Sequence, residues 1–339
     1  MKRPSTVRAA VPMQRPFERT LAGLLLPPGA PEHELEHLFA APLGAPALTP
    51  AGGVSWRICA NPVSVFVGGV AAVILELAEP RVRSGVWEHT QFRVRPVERM
   101  RATGLATMMA IYGPAEEARR RISEVNRRHA TVNGRTPAGE PYSALDPTLL
   151  AWVQATALFG FLQAYRSLVA PVEPELADTY YAENCATARL YGVETPPCCE
   201  ADVAGLFEAM LPRLEPSDIV FEFLDIVARM PALPAPLRWL QPALVQAAVE
   251  CVPQPVRMRL ALERPRWQPD AARRLLARTS ARLASLRPLA THPATLACRR
   301  LDLAPCALAP GSPPCGAPWN DPSETTSTSG RRAGAPGSS

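Results

Sequence analysis

From residue 31 to residue 302 the chain is a succession of apolar stripes at helical spacing, cut by prolines. The stretch 71–78 is apolar and helix-forming and stops at Pro80. Residues 98–112 follow a helical pattern that Gly113 can end. Pro114 opens the next helix, with Glu116 and Glu117 in its first turn and Arg127 and Arg128 towards its end, the order a helix dipole favours. Asp146-Pro147 caps and opens another, 174–191 ends at Gly192, and Ser217 caps 218–229. Further helical patterns fill 236–250 and 269–286, and the short run 63–67 is the one strand-like stretch. The pattern predicts an all-α fold: a single large helical domain over 31–302. A Pro-rich basic arm, 1–30, precedes it, and a Pro, Gly, Ser and Thr tail, 303–339, is expected to be disordered.

Composition narrows the chemistry. Lys2 is the only lysine, so the body of the chain has none to serve as Schiff base, general base or metal ligand. The net charge of +5 is concentrated at the start, where Lys2, Arg3, Arg8, Arg15 and Arg19 face only Glu18. The remainder is nearly neutral, which is no footprint for nucleic acid, although the arm leaves peripheral contact with an acidic membrane surface open. Eight cysteines without a secretory leader read as reduced thiols in a cytoplasmic protein. The uncharged stretch 147–165 has the length of a membrane span. Its Thr148, Gln154, Thr156 and Gln163, with no flanking arginine cluster, favour burial around a cofactor over a transmembrane segment.

One histidine stands out by position. In a helix read as 114–134, Ala118, Ile122, Val125, His129 and Val132 step by four, three, four and three, so His129 falls on the apolar stripe. A core histidine bonded to a backbone carbonyl is the plain alternative to a metal ligand. In the preceding helix Arg99 and Thr103 share a face with Ala102, Ala106, Thr107 and Ala110, small side chains that leave room for a flat ring or for another helix. The short turn at Gly113-Pro114 makes the two helices antiparallel neighbours. At ~1.5 Å per residue, Arg99 and His129 then both lie about 21–22 Å from that turn, side by side. A competing motif, His33-Glu34-Leu35-Glu36-His37, matches the H-E-x-x-H zinc-hydrolase pattern. It sits on a short segment between Pro31 and Pro42, places Glu36 where packing inward is expected, and has no third ligand at close spacing.

The segment 79–134, EPRVRSGVWEHTQFRVRPVERMRATGLATMMAIYGPAEEARRRISEVNRRHATVNG, resembles the core of the MpaB-like and rubber-oxygenase (latex-clearing protein) family. The likeness continues through Trp56, Asn61-Pro62 and Gly68-Gly69, and through Tyr142-Ser143-Ala144, Trp152–Thr156, Tyr180-Tyr181 and Phe221-Glu222-Phe223. The resemblance implies a helical domain with a buried haem b pocket, acting with O₂ on a small lipophilic substrate and cleaving carbon–carbon double bonds of isoprenoid-like chains. Carried over by motif, the histidine of H-x-x-V-x-G is His129, the iron ligand, and the R-x-x-x-T pair is Arg99 and Thr103, beside the haem. His89, in Glu88-His89-Thr90, matches a motif histidine that is a candidate proton-transfer group together with Glu88. Two positions depart from the pattern: Glu79-Pro80 replaces His-Pro, and no lysine exists to occupy the distal iron face, which argues against rubber itself as substrate. Alternatives to the oxygenase are a haem-binding helical protein without catalytic activity and the zinc hydrolase built on His33, Glu34 and His37.

Overall fold

The computed structural model describes residues 25–26, 33–263, 270–286, 289–304 and 308. Among them the α-helices, in chain order, are α1 (Glu34–Phe39), α2 (Val54–Ile58), α3 (Pro62–Ala78), α4 (Pro80–His89), α5 (Pro96–Tyr112), α6 (Ala115–His129), α7 (Pro147–Leu168), α8 (Pro174–Leu190), α9 (Glu200–Met210), α10 (Asp218–Arg229), α11 (Gln241–Cys251), α12 (Gln254–Arg259), α13 (Ala271–Ser285) and α14 (Pro293–Arg300). A single antiparallel hairpin, β1 (Asn133–Arg135) with β2 (Pro141–Ser143), lies between α6 and α7. The all-α expectation holds.

Two apolar helices, α3 and α7, cross at the centre. Local chemistry sets where each begins. Asn61 Oδ1 accepts from the backbone of Val63 and Ser64 at 3.0 Å each, and Pro62 fills the first helical position of α3. Asp146 Oδ1 does the same for α7, accepting from Thr148 N at 2.9 Å and Leu149 N at 3.2 Å. The crossing is close because neither helix has a side chain there. A Cβ on Gly68 would lie 2.6 Å from Gly160 O, and one on Gly160 would lie 2.3 Å from Gly68 O. Trp152 of α7 is fully buried and donates to Leu75 O at 3.3 Å, locking the register of the pair.

This crossing corrects the strand reading of 63–67, which lies in the first two turns of α3. The β-branched run weighs against helix by only ~0.5 kcal/mol per residue, less than the burial that α7 provides. The stretch 147–165 is likewise core: Leu149, Trp152, Ala155, Phe161 and Leu162 of α7 are buried. Among the described residues no single helix is long and apolar enough to cross a membrane.

A second core forms around α2, α5, α8 and α14. Glu183 on α8 caps α2 by accepting from Val54 N at 2.9 Å and Ser55 N at 2.7 Å. Trp56 donates to Thr49 and to Ile111 O, while Tyr112 donates to Trp56 O at 2.7 Å. Arg300 is almost fully buried and donates to the carbonyls of Phe39, Ala45 and Tyr112, closing the C-terminal helix on the N-terminal segment. Leu25, Leu26 and Leu308 are buried in this core too, so side chains on either side of 31–302 join it.

Two further expectations need correction. Cys185 and Cys198 are disulfide-bonded, not reduced: the loop after α8 turns back and brings their Cα atoms to 6.0 Å. The cysteines therefore no longer argue for a reducing compartment. Cys59, Cys199 and Cys251 are free thiols, and Cys306 and Cys315 lie outside the described residues. The helix read as 114–134 ends at His129, because the chain turns there into the hairpin, where Tyr142 packs against Gly134 and Gly85. Val132 therefore leaves the helical stripe.

Candidate functional site

The antiparallel pairing of α5 and α6 brings Arg99 and His129 together, as the residue count from the turn requires. The Arg99 cation is near enough to the His129 ring to help lower its pKa. α5 is buried over its last five residues, whereas Arg99, Ala102 and Thr103 are exposed and Ala106 and Thr107 half-buried. The small-residue face is therefore open rather than covered by another helix. Thr103 donates its hydroxyl hydrogen to Arg99 O at 3.0 Å, and Thr107 repeats the pattern to Thr103 O at 3.0 Å. Both hydroxyl oxygens keep their lone pairs for an incoming group.

His129 is the last residue of α6 and is half-buried. Its Nδ1 is buried with no hydrogen-bond partner. Burial first, and the Arg99 cation second, hold its pKa below the usual imidazole range. The ring is therefore neutral at physiological pH, the state in which imidazole binds a metal.

Arg99 has an unusual setting. Its surface is open to solvent, yet it stands deep enough among protein atoms that desolvation depresses its pKa, with Glu76 opposing and Arg128 adding to the shift. A side chain on the wall of a concave opening has both properties. Glu76 of α3 ends a half-buried stripe of Phe66, Gly69, Val73 and Glu76 on that helix. Burial pushes its carboxyl up to about 7, and the neighbouring Arg99 cation offsets only part of this. Sequence reasoning missed Glu76. The available signal was that it is the only charged residue in an otherwise apolar helix of 17 residues.

His89 belongs to a different cluster. Its Nε2 lies 3.0 Å from Tyr142 Oη, which donates to Glu88 Oε2 at 3.0 Å, so α4 and β2 are tied together by Glu88, Tyr142 and His89. Glu79 is fully buried and structural: it caps α4 by accepting from Arg81 N at 2.7 Å and Val82 N at 2.9 Å, and pairs with Arg81 Nε at 2.9 Å. Arg81 reaches Asp146 and Glu140, and Arg213 reaches Glu140 and Glu79, so one ion network joins α4, the hairpin and the start of α7.

The zinc motif does not assemble. His33, Glu36 and His37 are exposed, and Glu36, expected to pack inward, faces Arg299 at 3.4 Å, because Leu35 and Phe39 take the buried face of α1. Among the described residues no group of three or more histidine, cysteine, aspartate or glutamate side chains could hold a metal ion.

The residues around His129 do suit an iron porphyrin. A neutral imidazole with an unpartnered buried nitrogen would be able to hold the iron of such a group. A face of alanine and threonine admits a flat macrocycle, and Arg99 can meet its carboxylates.

No curated protein and no solved structure matches the chain. One family does: the ER-bound oxygenase mpaB/B'/rubber oxygenase catalytic domain, over residues 56–286, a span that contains Glu76, His89, Arg99, Thr103 and His129. With more than half of its length matched, this chain belongs to the mpaB and rubber oxygenase catalytic-domain family.

Proposed function

We propose that the protein is a haem b-dependent oxygenase that acts with O₂ on a hydrophobic, unsaturated, isoprenoid-like substrate, cleaving a carbon–carbon double bond into two carbonyl ends. The observation that carries this reading is the His129 imidazole, neutral and with a buried unpartnered nitrogen, standing beside Arg99 on an open small-residue face. Bound haem would supply a redox-active iron for O₂ chemistry.

The chain's own residues divide the remaining work. His129 holds the cofactor by its ring nitrogen. Arg99 neutralises a cofactor carboxylate or an oxygen that gains negative charge. Thr103 offers an oxygen one turn further along the same face. Glu76, half protonated near neutral pH, can hold or release a proton within the field of Arg99. The half-buried stripes of α3 (Phe66, Gly69, Val73) and α7 (Leu150, Val153, Ala157) form apolar walls for a lipophilic chain. His89, tied to Tyr142 and Glu88, positions the hairpin that follows His129.

The test is an absorption spectrum of the purified protein, loaded with haem and read before and after dithionite. A Soret band that disappears in His129→Ala, with helical circular dichroism retained, supports haem ligation. O₂ uptake with a panel of unsaturated lipophiles then supports the oxygenase. Failure of the folded wild-type protein to bind haem would refute the haem reading, and haem binding without O₂ uptake across the panel would reduce the protein to a carrier.

A further inference from the structure

Helix α13 is built the wrong way round for a helix whose only task is packing. Its buried residues are Ala277 and Ala281, which seat it against α3, α7 and α11. Its larger apolar side chains point outward instead. Leu275 and Leu283 are 66% and 62% exposed, and Leu286, at the C-cap, is 74% exposed. Leucine gains more than alanine from burial, so folding alone favours the reverse order.

The exposed side chains share one face. Leu275, Thr279, Arg282 and Leu286 step by four, three and four, which makes a ridge about 16 Å long at ~1.5 Å per residue. Leu283 flanks the ridge on one side and Arg278 on the other. Exposed leucines scattered singly are ordinary, whereas three on one face form a patch.

Charge gathers on the same segment. In sequence, residues 264–287 hold seven arginines against Asp270, in a chain whose net charge is only +5. α13 supplies Arg273, Arg274, Arg278 and Arg282, all exposed, and contains no acidic residue. The Asp270 carboxylate caps it, accepting from Ala272 N at 2.8 Å and Arg273 N at 3.0 Å. The helix is also pinned to the body. Asn61 donates to Ala281 O at 2.7 Å, Arg274 reaches Glu250 at 2.8 Å, and Arg278 Nε donates to Ser167 O at 2.9 Å. The leucine ridge is therefore presented by a fixed helix.

Arginine interleaved with outward leucine suits the boundary of a lipid bilayer. There the leucines enter the acyl region, and the long arginine stems leave their guanidinium groups among the headgroups. A second copy of this chain fits less well, because pairing the ridge with itself sets Arg278 and Arg282 against their equivalents. A nucleic acid would use the arginines and leave the leucines in water.

We propose that α13 docks the protein on a bilayer surface that carries anionic lipid headgroups, with Leu275, Leu283 and Leu286 inserted and Arg278 and Arg282 at the lipid phosphates. The docking face does not depend on the haem reading.

Co-sedimentation of the full chain, without haem, with vesicles of equimolar phosphatidylserine and phosphatidylcholine tests this, with pure phosphatidylcholine vesicles as comparator. The expected result is preferential binding to the anionic vesicles that weakens as salt is raised. Binding should fall about tenfold in the double variant Leu275→Ser with Leu286→Ser and about fivefold in Arg282→Gln. It should be unchanged in Leu43→Ser, which alters an exposed leucine outside α13. Circular dichroism establishes that the variants fold. Absence of binding by the wild type overturns the proposal. Binding that survives the double leucine variant also overturns it, leaving the basic arm 1–30 as the contact. So does self-association that the double variant abolishes, with no vesicle binding, because the face would then belong to a second copy.

Discussion

Glu76→Gln gives a sharp thermodynamic test of the site. In the folded apoprotein the Glu76 carboxyl titrates near pH 7, while a free glutamate titrates near 4.5. Between those values the folded chain binds more protons than the unfolded chain, so this residue makes stability fall as pH rises through that window. Above pH 7 the loss is complete and amounts to about 3 kcal/mol at ~1.4 kcal/mol per pKa unit. Residual solvent contact makes this an upper bound. Glutamine has the same shape and no charge to bury. The variant should therefore be more stable than the wild type by up to about 3 kcal/mol at pH 8 and indistinguishable at pH 4. Urea unfolding of both haem-free proteins from pH 4 to pH 8 measures the difference directly. The difference matters, because His292 acts in the opposite sense: its folded pKa of about 4 lies below the usual imidazole value, so it costs stability as pH falls below about 6.5. Subtraction removes that contribution, which both proteins share. A difference that does not change with pH, or a variant less stable than the wild type at pH 8, would show that Glu76 is not a desolvated carboxylate beside Arg99. A confirmed penalty would mark Glu76 as retained for function at a cost in stability.

Arg99→Gln should raise the pKa of both Glu76 and His129, because the Arg99 cation lowers each; NMR titration of the imidazole and carboxyl signals reads this. Gly160→Ala should destabilise the protein by about 1–3 kcal/mol, because its Cβ would meet Gly68 O at 2.3 Å and force α3 and α7 apart. Gly205→Ala, in α9 with nothing within 4 Å of its Cβ, should instead stabilise it by up to about 1 kcal/mol, and thermal melting of the pair gives opposite signs. Glu79→Gln should cost about 3 kcal/mol, since the amide turns a donor towards Arg81 Nε while Arg81 keeps Asp146 and Glu140; a melting temperature unchanged from the wild type would contradict the network.

Much of the molecule was legible locally. Caps and prolines mark where helices begin: Asp146-Pro147 and Ser217 act as their residue types require. The level of Arg99 beside His129 followed from counting residues to the Gly113-Pro114 turn, because helical rise is fixed and the hairpin is short. These are properties of neighbours in the chain.

What remained hidden depends on partners distant in sequence. The β-branched run 63–67 is helical because α7 offers a glycine-lined groove to pack against, and nothing in the run itself announces Gly160. The Cys185–Cys198 bond forms because a loop folds back, and spacing alone gives no connectivity. Glu79 and Glu76 are both glutamates in 62–79, yet the fold places one inside a ring of arginines and leaves the other desolvated beside a single cation. Sequence determined most of the helical segments and their apolar faces, since both follow from residue type and a fixed period. Tertiary structure alone decided which charges are buried and beside what, since desolvation and Coulomb energy depend on distances between helices and not on position along the chain.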